Sequence, residues 1–199
     1  MRLEQLQGHP DFRHLGTLPG LVVDLRYATE DNFVSRNLYG SNDCAWLHRE
    51  AAAGLQAAQQ SLSKSHPQLR MVVLDALRPH RVQEELWAYF KGSELRQYLA
   101  DPARGSIHSY GMAVDVTLLD AQGAELDMGT GFDELSIVSH PQHEEVHLQQ
   151  GLLTTTQLAN RLLLRHTLQH YGFQGISTEW WHFDFGDRDR VRREFVRIE

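Results

Sequence analysis

Apolar residues recur along the chain with the spacing of helices in three regions. The first helical stripe consists of Leu47, Ala51, Leu55, Ala58 and Leu62. Asp43 is a candidate N-cap for this helix, because its carboxylate can accept hydrogen bonds from the free N–H groups of a first turn. A second helix is predicted to begin at Pro79, and a third to cover residues 157–170. The residues expected to point inward on the third helix are Leu158, Leu162 and Leu168.

Runs of β-branched and apolar residues predict strands between these helices. Residues 70–75 are expected to form a short buried strand, and residues 114–119 a second strand that leads through a turn at 120–123 into residues 126–128, as in a hairpin. Helices and antiparallel strands in this mixed order favour an α+β fold. With 199 residues and 41% hydrophobic content, we predict a single domain over 1–199, with a central antiparallel sheet flanked by helices.

Two short segments far apart in the sequence carry the residue types that bind a catalytic metal ion. The first, at 106–115, reads S-x-H-x-x-G-x-A-x-D and supplies His108 and Asp115; the second, E-x-W-H, supplies Glu179 and His182. Catalytic zinc sites use three protein ligands and keep a fourth position for water, whose pKa falls to about 7. We therefore predict one zinc ion per chain, bound by His108, Asp115 and His182. Glu179 is then free to act as the general base.

The spacing also predicts where these side chains lie. Gly111 allows a tight bend after His108, so that His108 lies on the loop entering the strand that carries Asp115. Side chains alternate between the two faces of a strand, which would put Glu179 and His182 on opposite faces of one strand. Both can face one metal ion if Glu179 lies just before the strand, and this is the arrangement that we predict. The zinc site is therefore expected at the sheet.

These motifs resemble those of the zinc D,D-peptidase superfamily, which includes D,D-carboxypeptidases, D-alanyl-D-alanine dipeptidases of the VanX type and the Hedgehog signalling domain. Further segments run in the order expected of the VanX-type dipeptidases, at residues 24–33, 47–50, 75–79, 128–133 and 139–140. The resemblance covers the chain from about residue 20 to about residue 185. It implies a D,D-peptidase-like fold and the hydrolysis of D-alanyl-D-alanine or a similar small dipeptide.

The resemblance implies a catalytic role for five positions. His108, Asp115 and His182 match the family's zinc ligands. Glu179 matches its catalytic base. Arg78 matches the arginine that stabilises the tetrahedral intermediate, a role suited to a permanently charged guanidinium. Judged from the residues alone, Arg78 is equally compatible with a structural ion pair.

The same resemblance implies where the substrate binds. Tyr27, Ser106 and Asp133 match positions around the substrate's free amino end. A buried carboxylate at Asp133 would select dipeptides over longer chains, because only a free ammonium can pair with it; from the residues alone, Asp133 could also be a helix cap. Trp180 and Trp181 are expected in the core and the pocket wall, and Trp180 is the one that we assign to the substrate.

Some segments depart from the family's pattern. Leu77 stands where the family has a tyrosine before Arg78, and residues 134–138 replace its usual run of acidic and basic residues. The segment between Arg78 and Ser106 is also shorter than expected. These departures bear on the substrate range rather than on zinc binding.

Composition narrows the choice of partners. The formal net charge of −7 argues against nucleic acid or an anionic membrane as the main partner, because both attract basic surfaces. The single cysteine, Cys44, has no intrachain disulfide partner, and no segment approaches the roughly 18 continuous apolar residues of a membrane span. Without a visible secretory signal, we expect a cytoplasmic protein, or a periplasmic one if a leader precedes it. The expected partner is a small dipeptide, and the oligomeric state stays open.

A second motif competes for the zinc ion. Residues 143–147 read H-E-E-V-H, which fits the H-E-x-x-H zinc helix of many metalloproteases. Pro141 lies just upstream, the flanking residues are polar, and the longer metzincin pattern does not continue. We therefore interpret this segment as a solvated helix start or loop, and expect alanines at His143 and His147 to leave the zinc content unchanged.

The sequence supports three hypotheses for the function. The leading one is zinc-dependent hydrolysis of D-alanyl-D-alanine or a similar dipeptide to free amino acids. The second keeps the site but makes the chain a D,D-carboxypeptidase or L,D-type peptidase that trims peptidoglycan stem peptides. The third is a zinc-stabilised binding module without turnover, against which Glu179 and Arg78 argue. The stereochemistry of the substrate is implied by the resemblance alone.

Overall fold

The computed structural model describes residues 1–199 and contains seven β-strands and five α-helices. The strands are β1 (Phe12–His14), β2 (Val22–Val23), β3 (Trp46–His48), β4 (Arg70–Asp75), β5 (Ala113–Leu119), β6 (Phe173–Gly175) and β7 (His182–Phe185). The helices are α1 (Arg49–Ser65), α2 (His80–Tyr89), α3 (Glu144–Gln149), α4 (Thr155–Gln169) and α5 (Arg188–Glu194). Short 3-10 helices lie in the connections between them.

Five strands form the central sheet in the order β2-β4-β5-β7-β6. β2 and β4 run parallel, and every other neighbouring pair runs antiparallel. β1 and β3 form a separate antiparallel pair. The α+β fold is therefore confirmed, with the correction that the central sheet is mixed at its β2 edge rather than antiparallel throughout.

β5 lies in the middle of the sheet, and all seven of its residues are buried. Val114 and Val116 join the main hydrophobic core, together with Leu55 of α1 and Leu164 of α4. Because side chains alternate along a strand, Asp115 points to the opposite face of the sheet. A carboxylate is thus carried by the best-packed strand of the molecule.

α1 begins later than its apolar stripe predicts. Its first residue is Arg49, and the N-cap is His48, whose Nδ1 accepts a hydrogen bond from a first-turn N–H at 3.3 Å. Leu47 belongs to β3, which pairs with β1. Asp43 does not cap the helix and instead accepts a hydrogen bond from the backbone N–H two residues further on, at 3.0 Å. Pairing between distant segments outweighs the local helical pattern here.

The inward face of α4 differs from the predicted one. Arg161, Leu164 and Leu168 are buried, whereas Leu158 and Leu162 are half-buried. Arg161 can lie inside because its guanidinium donates to two backbone carbonyl oxygens, at 2.6 and 3.0 Å. A hydrophobic pattern cannot predict such a residue, since its burial depends on distant acceptors.

The remaining predicted elements agree closely with the observed ones. β4 covers the predicted residues 70–75, and α2 begins directly after Pro79. The predicted hairpin after β5 is reduced to a turn with a single bridge, between Leu119 and Glu125. None of the helices combines the length and the apolar character that crossing a membrane would require.

Candidate metal centre

The bend after His108 is present as predicted. His108 lies on a 3-10 helix, Ile107–Tyr110, that ends at Gly111 with a φ of +65°. A Cβ atom on Gly111 would lie 2.9 Å from the backbone nitrogen of His48, whose N–H donates to the Gly111 carbonyl oxygen at 2.8 Å. Both the left-handed conformation and this close approach require glycine. The bend carries the chain from His108 directly into β5.

Asp115 and His182 come together because their strands are neighbours. They are register partners in the antiparallel pair β5 and β7, and opposite residues of such a pair have Cβ atoms only about 5 Å apart. His182 is the first residue of β7, so Glu179 precedes the strand, as predicted.

The three predicted ligands converge on one point. Nε2 of His108 lies 3.1 Å from Nδ1 of His182 and 3.4 Å from Oδ1 of Asp115. Nδ1 of His182 lies 3.0 Å from the same Oδ1. Donor atoms on a tetrahedral zinc ion, with bonds of about 2.0–2.1 Å, are about 3.3 Å apart. The donor types and their spacing therefore fit such an ion.

The outer nitrogen of each imidazole has a fixed hydrogen-bond acceptor. Nδ1 of His108 donates to the carbonyl oxygen of Ala76 at 2.7 Å, and Nε2 of His182 donates to Oδ1 of Asp184 at 2.9 Å. Asp184 is itself held by a salt bridge to Arg188. In a neutral imidazole whose outer nitrogen carries the proton, the inner nitrogen is the one that can bind a metal ion. The motifs alone do not indicate this role for Asp184. Its position two residues after a ligand, on the same face of the strand, is the one feature of the sequence that points to it.

Arg78 is held beside the ligands by a buried ion pair. Its Nε and Nη2 donate to Oδ2 of Asp75 at 3.0 and 2.8 Å, and Nη2 lies 3.4 Å from Oδ2 of Asp115. Asp75 also accepts a hydrogen bond from the Tyr39 hydroxyl. A register shift in β4 brings Asp75 opposite Asp115. Arg78 therefore has the structural ion pair that the residues alone allowed, and it also faces the metal centre.

Glu179 is half-buried beside the ligands. Burial raises the pKa of its carboxyl group to about 7, and the negative charge of Asp115 adds to this rise, while His182 opposes it. A carboxylate with this pKa can accept and release a proton at neutral pH.

These side chains line one cavity of about 410 Å³. The predicted site residues in its wall are Tyr27, Arg78, Ser106, His108, Asp115, Asp133, Glu179 and His182. Trp180 does not line it: its Nε1 donates to Oγ1 of Thr130 at 2.9 Å, and Trp181 lines the cavity instead. Both tryptophans precede β7, which begins at His182.

Asp133 is placed to receive a cation. The Tyr27 hydroxyl donates to its Oδ1 at 3.3 Å, while its Oδ2 is buried without a hydrogen-bond partner. Burial raises the pKa of Asp133 well above its usual range, and the charge of Asp115 raises it further. The backbone of Asp133 has a φ of +59°, a strained conformation that often marks functional positions. It caps no helix, since the next one begins at Ile137 with Ser136 as its N-cap.

The departures from the family's pattern lie in different surroundings. Leu77 is buried among Leu6, Phe12 and Ile198, away from the cavity. Leu135, from the altered 134–138 segment, lines the cavity. The altered segment, rather than Leu77, is therefore in a position to affect the substrate range.

The competing H-E-x-x-H segment is more buried than predicted. His143 is the last residue of the 3-10 helix that precedes α3, and Glu144 and His147 are buried. Both carboxylate oxygens of Glu144 accept hydrogen bonds from Arg165, at 2.6 and 2.8 Å, and Arg161 lies 3.5 Å away. The solvated interpretation is therefore wrong for Glu144 and His147. The segment nevertheless gathers no set of three ligand atoms, in contrast to His108, Asp115 and His182.

The family and the relatives that this chain resembles agree with a metal centre formed by His108, Asp115 and His182. Residues 11–199 match the Peptidase_M15 family, described as D-ala-D-ala dipeptidase. The D-alanyl-D-alanine dipeptidase of Escherichia coli (strain K12) is 39% identical over 166 residues, which cover 83% of this chain and 79% of that protein. The D-alanyl-D-alanine dipeptidase of Enterococcus faecium is 27% identical over 186 residues, which cover 84% of this chain and 87% of that protein.

Among solved structures, the LdcB LD-carboxypeptidase shares the fold, with a TM-score of 0.51 at 13% identity over 93% of this chain and 72% of that chain. The resemblance inferred from the motifs is thus confirmed by whole-chain similarity. The chain belongs to the Peptidase_M15 family, the D-ala-D-ala dipeptidases, and is a metallopeptidase.

Proposed function

We propose that this chain is a zinc-dependent dipeptidase that hydrolyses D-alanyl-D-alanine, or a closely similar small dipeptide, to free amino acids. The observation that carries the proposal is the convergence of one oxygen and two nitrogen ligand atoms, 3.0–3.4 Å apart, in a cavity beside Glu179. The names of the relatives supply the substrate, including its D stereochemistry.

His108, Asp115 and His182 would hold the zinc ion through Nε2, Oδ1 and Nδ1. When bound, zinc lowers the pKa of water and polarises the carbonyl group of the peptide bond. Two neutral imidazoles and one carboxylate leave about one net positive charge on the ion, which preserves this effect.

Glu179 moves the proton. It accepts a proton from the attacking water as a general base and then donates it to the leaving amine as a general acid. Its burial supports both steps, because a pKa raised towards 7 keeps the acid and base forms close in free energy at neutral pH.

Arg78 stabilises the negative charge that develops on the carbonyl oxygen. Its guanidinium is buried and is fixed by Asp75, so little reorganisation is needed when the charge appears. A lysine could not keep the two hydrogen bonds to Asp75 and also face the cavity with a further N–H group.

Asp133 and Tyr27 bind the free ammonium group of the substrate. The unpartnered Oδ2 of Asp133 gains a counter-ion only if the substrate's amine is free. An acylated amine carries no charge, so stem peptides extended at this end would leave a buried carboxyl group without its partner. This disfavours the carboxypeptidase alternative.

An amine-release assay tests the proposal. The purified chain, with its zinc content measured, is given D-Ala-D-Ala, L-Ala-L-Ala and N-acetyl-D-Ala-D-Ala in parallel, and the Glu179→Gln variant is the matched blank. We expect turnover of D-Ala-D-Ala alone. Turnover of the N-acetylated compound would identify a carboxypeptidase, and zinc bound without any hydrolysis would identify a binding module.

A further inference from the structure

Arg192 of α5 lines the same cavity as the metal centre but has no role in the steps above. Its Nη1 is shielded from solvent and has no hydrogen-bond partner. Buried donors of this kind are rare in proteins and carry a free-energy cost unless a ligand satisfies them. The unpartnered guanidinium nitrogen therefore indicates an anionic ligand.

The Arg192 side chain is held in place by the backbone of the metal site. Its Nε donates to the carbonyl oxygen of Gly105 at 3.1 Å, directly before Ser106 in the wall of the cavity. Because Nε is fixed, the terminal nitrogens have few alternative positions. The side chain as a whole is 17% exposed and lines the cavity.

The charged neighbours of Arg192 are two arginines and two aspartates, which balance one another, so Arg192 itself supplies the excess positive charge in this part of the wall. Arg104 and Arg188 line the same part of the wall, and Arg188 is already paired with Asp184. Oδ1 of Asp189 lies 3.6 Å from Nη1 of Arg192, beyond hydrogen-bond distance, on a side chain that is 77% exposed. Burial, with Arg104 as the next cause, lowers the pKa of Arg192.

Arg192 and Asp133 lie in different parts of the cavity wall. Asp133 contacts Tyr27, whereas Arg192 contacts Gly105. Each has different charged neighbours: Asp75, Arg78, Asp115 and Glu179 around Asp133, and Arg104, Asp184, Arg188 and Asp189 around Arg192. The cavity thus offers one unpartnered carboxylate oxygen and one unpartnered guanidinium nitrogen in separate places.

We propose that Arg192 binds the carboxylate at the C-terminal end of the substrate and so determines that the substrate ends one residue after the scissile bond. The inference rests on the proposed function, because it takes a zwitterionic dipeptide as the ligand. Asp133 binds the ammonium and Arg192 the carboxylate, which fixes the orientation of the dipeptide across the metal centre. A peptide amide or a longer C-terminal extension leaves Arg192 without its counter-ion.

The test compares a free dipeptide with its C-terminal amide. kcat and KM are measured for D-Ala-D-Ala and D-alanyl-D-alaninamide with wild type, Arg192→Gln and Arg192→Lys. Lysine keeps the positive charge that glutamine removes, and neither side chain reproduces the guanidinium group, so a preference kept only by Arg192→Lys indicates that the charge is recognised. In wild type we expect kcat/KM to favour the free dipeptide about 10- to 100-fold, mainly through KM. Arg192→Gln should abolish this preference and Arg192→Lys should retain part of it.

Arg193→Gln is the matched control for the loss of a positive charge on α5. Arg193 is exposed and paired with Glu194, so its exchange should leave the preference unchanged. If Arg192→Gln lowered kcat/KM equally for the free dipeptide and the amide, the inference would be overturned. It would also be overturned if this variant kept the wild-type preference for the free dipeptide.

Calorimetric binding separates this inference from the proposed function. D-Ala-D-Ala and its amide are titrated into the Glu179→Gln variant, with and without Arg192→Gln. If wild type hydrolyses no dipeptide, the proposed function fails, but tighter binding of the free dipeptide that depends on Arg192 would still support the carboxylate site. Equal affinities for the two compounds in the presence of Arg192 would refute it.

Discussion

Two regions of this molecule carry histidines and acids in patterns typical of zinc sites, and only one of them brings three ligand atoms together. His108, Asp115 and His182 come from a 3-10 helix and two neighbouring strands, and their ligand atoms meet within 3.4 Å. His143 and His147 are one turn apart along the chain, yet their ring centroids are 5.9 Å apart, against 4.9 Å for His108 and His182.

The two regions differ in the hydrogen bonds made by the imidazole nitrogens that face away from the possible metal ion. At the metal centre, Ala76 and Asp184 fix the outer imidazole nitrogens. In the other region, Nδ1 of His147 is buried without a partner, and Glu144 is engaged by Arg161 and Arg165. A spacing that suits a metal ion is therefore not sufficient, because the supporting hydrogen bonds decide whether the ligands converge.

Removal of a ligand should give the largest contrast between the two regions. His108→Ala should lose the zinc ion and reduce turnover to the level of the buffer blank, since the metal supplies several kcal/mol of transition-state stabilisation. The double exchange His143→Ala and His147→Ala should keep one zinc ion per chain and near-normal turnover. Elemental analysis with the amine-release assay measures both. Loss of zinc from the double variant alone would transfer the metal centre to the other region.

Glu179→Gln should reduce kcat by about 100- to 10,000-fold, the range expected for loss of general acid–base catalysis. Zinc content should not change, because Glu179 is not a ligand. Glu144→Gln is the corresponding exchange in the H-E-x-x-H segment and should leave kcat near its original value. A Glu179→Gln enzyme that turns over normally would contradict the proposed proton transfer.

Asp184→Asn should weaken zinc binding about 10- to 100-fold, since the carboxylate orients His182 and increases its basicity. Competition with a chelator measures the affinity, and circular dichroism shows whether the fold is retained. No comparable support exists for Nδ1 of His147, so exchanges around that residue should not change the affinity. An unaltered zinc affinity in folded Asp184→Asn would show that the contact is only structural.

The pH dependence should also distinguish the two regions. Burial raises the pKa of Glu179 to about 7, and only its ionised form can act as a base. kcat/KM should therefore fall about tenfold per pH unit on the acid side of this group. A bound cation lowers the pKa of a nearby carboxyl group, so the acid limb of the kcat/KM profile should have its midpoint at or below pH about 7. The profile should be unchanged in His143→Ala, and a shifted limb there would implicate the second region.

Exchange of Glu144 for Gln should have the smallest effect on turnover but a measurable one on stability. Arg161 and Arg165 would lose their shared counter-ion, which should lower the free energy of unfolding by about 3 kcal/mol. Urea denaturation measures this change. An unaltered midpoint would mean that the ion pairs contribute nothing net to the fold.

The clustering of His108, Asp115 and His182 could be predicted from the sequence, because few residue types bind zinc and the bend at Gly111 restricts the path of the chain between His108 and Asp115. The position of Glu179 followed from strand alternation. No such rule distinguished Trp180 from Trp181, of which only Trp181 lines the cavity.

Other features depended on partners distant in sequence. α1 begins at Arg49 because β3 pairs with β1, and Arg161 is buried because carbonyl oxygens from other segments accept its N–H groups. The position of Asp75 opposite Asp115 follows a register shift in β4, for which the sequence contains no clear signal. Local patterns therefore identify ligands better than they identify the groups that hold them.

Arg188 and Arg192 lie about one turn apart on the short helix α5. Arg188 forms a salt bridge with Asp184, which in turn accepts a hydrogen bond from His182. Arg192 lines the cavity. The proposed metal site and the proposed carboxylate site are therefore both supported by a single small element. Replacing α5 with the corresponding helix of a relative, in order to change the specificity, would alter cation affinity and peptide selectivity together. Retaining Arg188 in the exchange would separate the two effects.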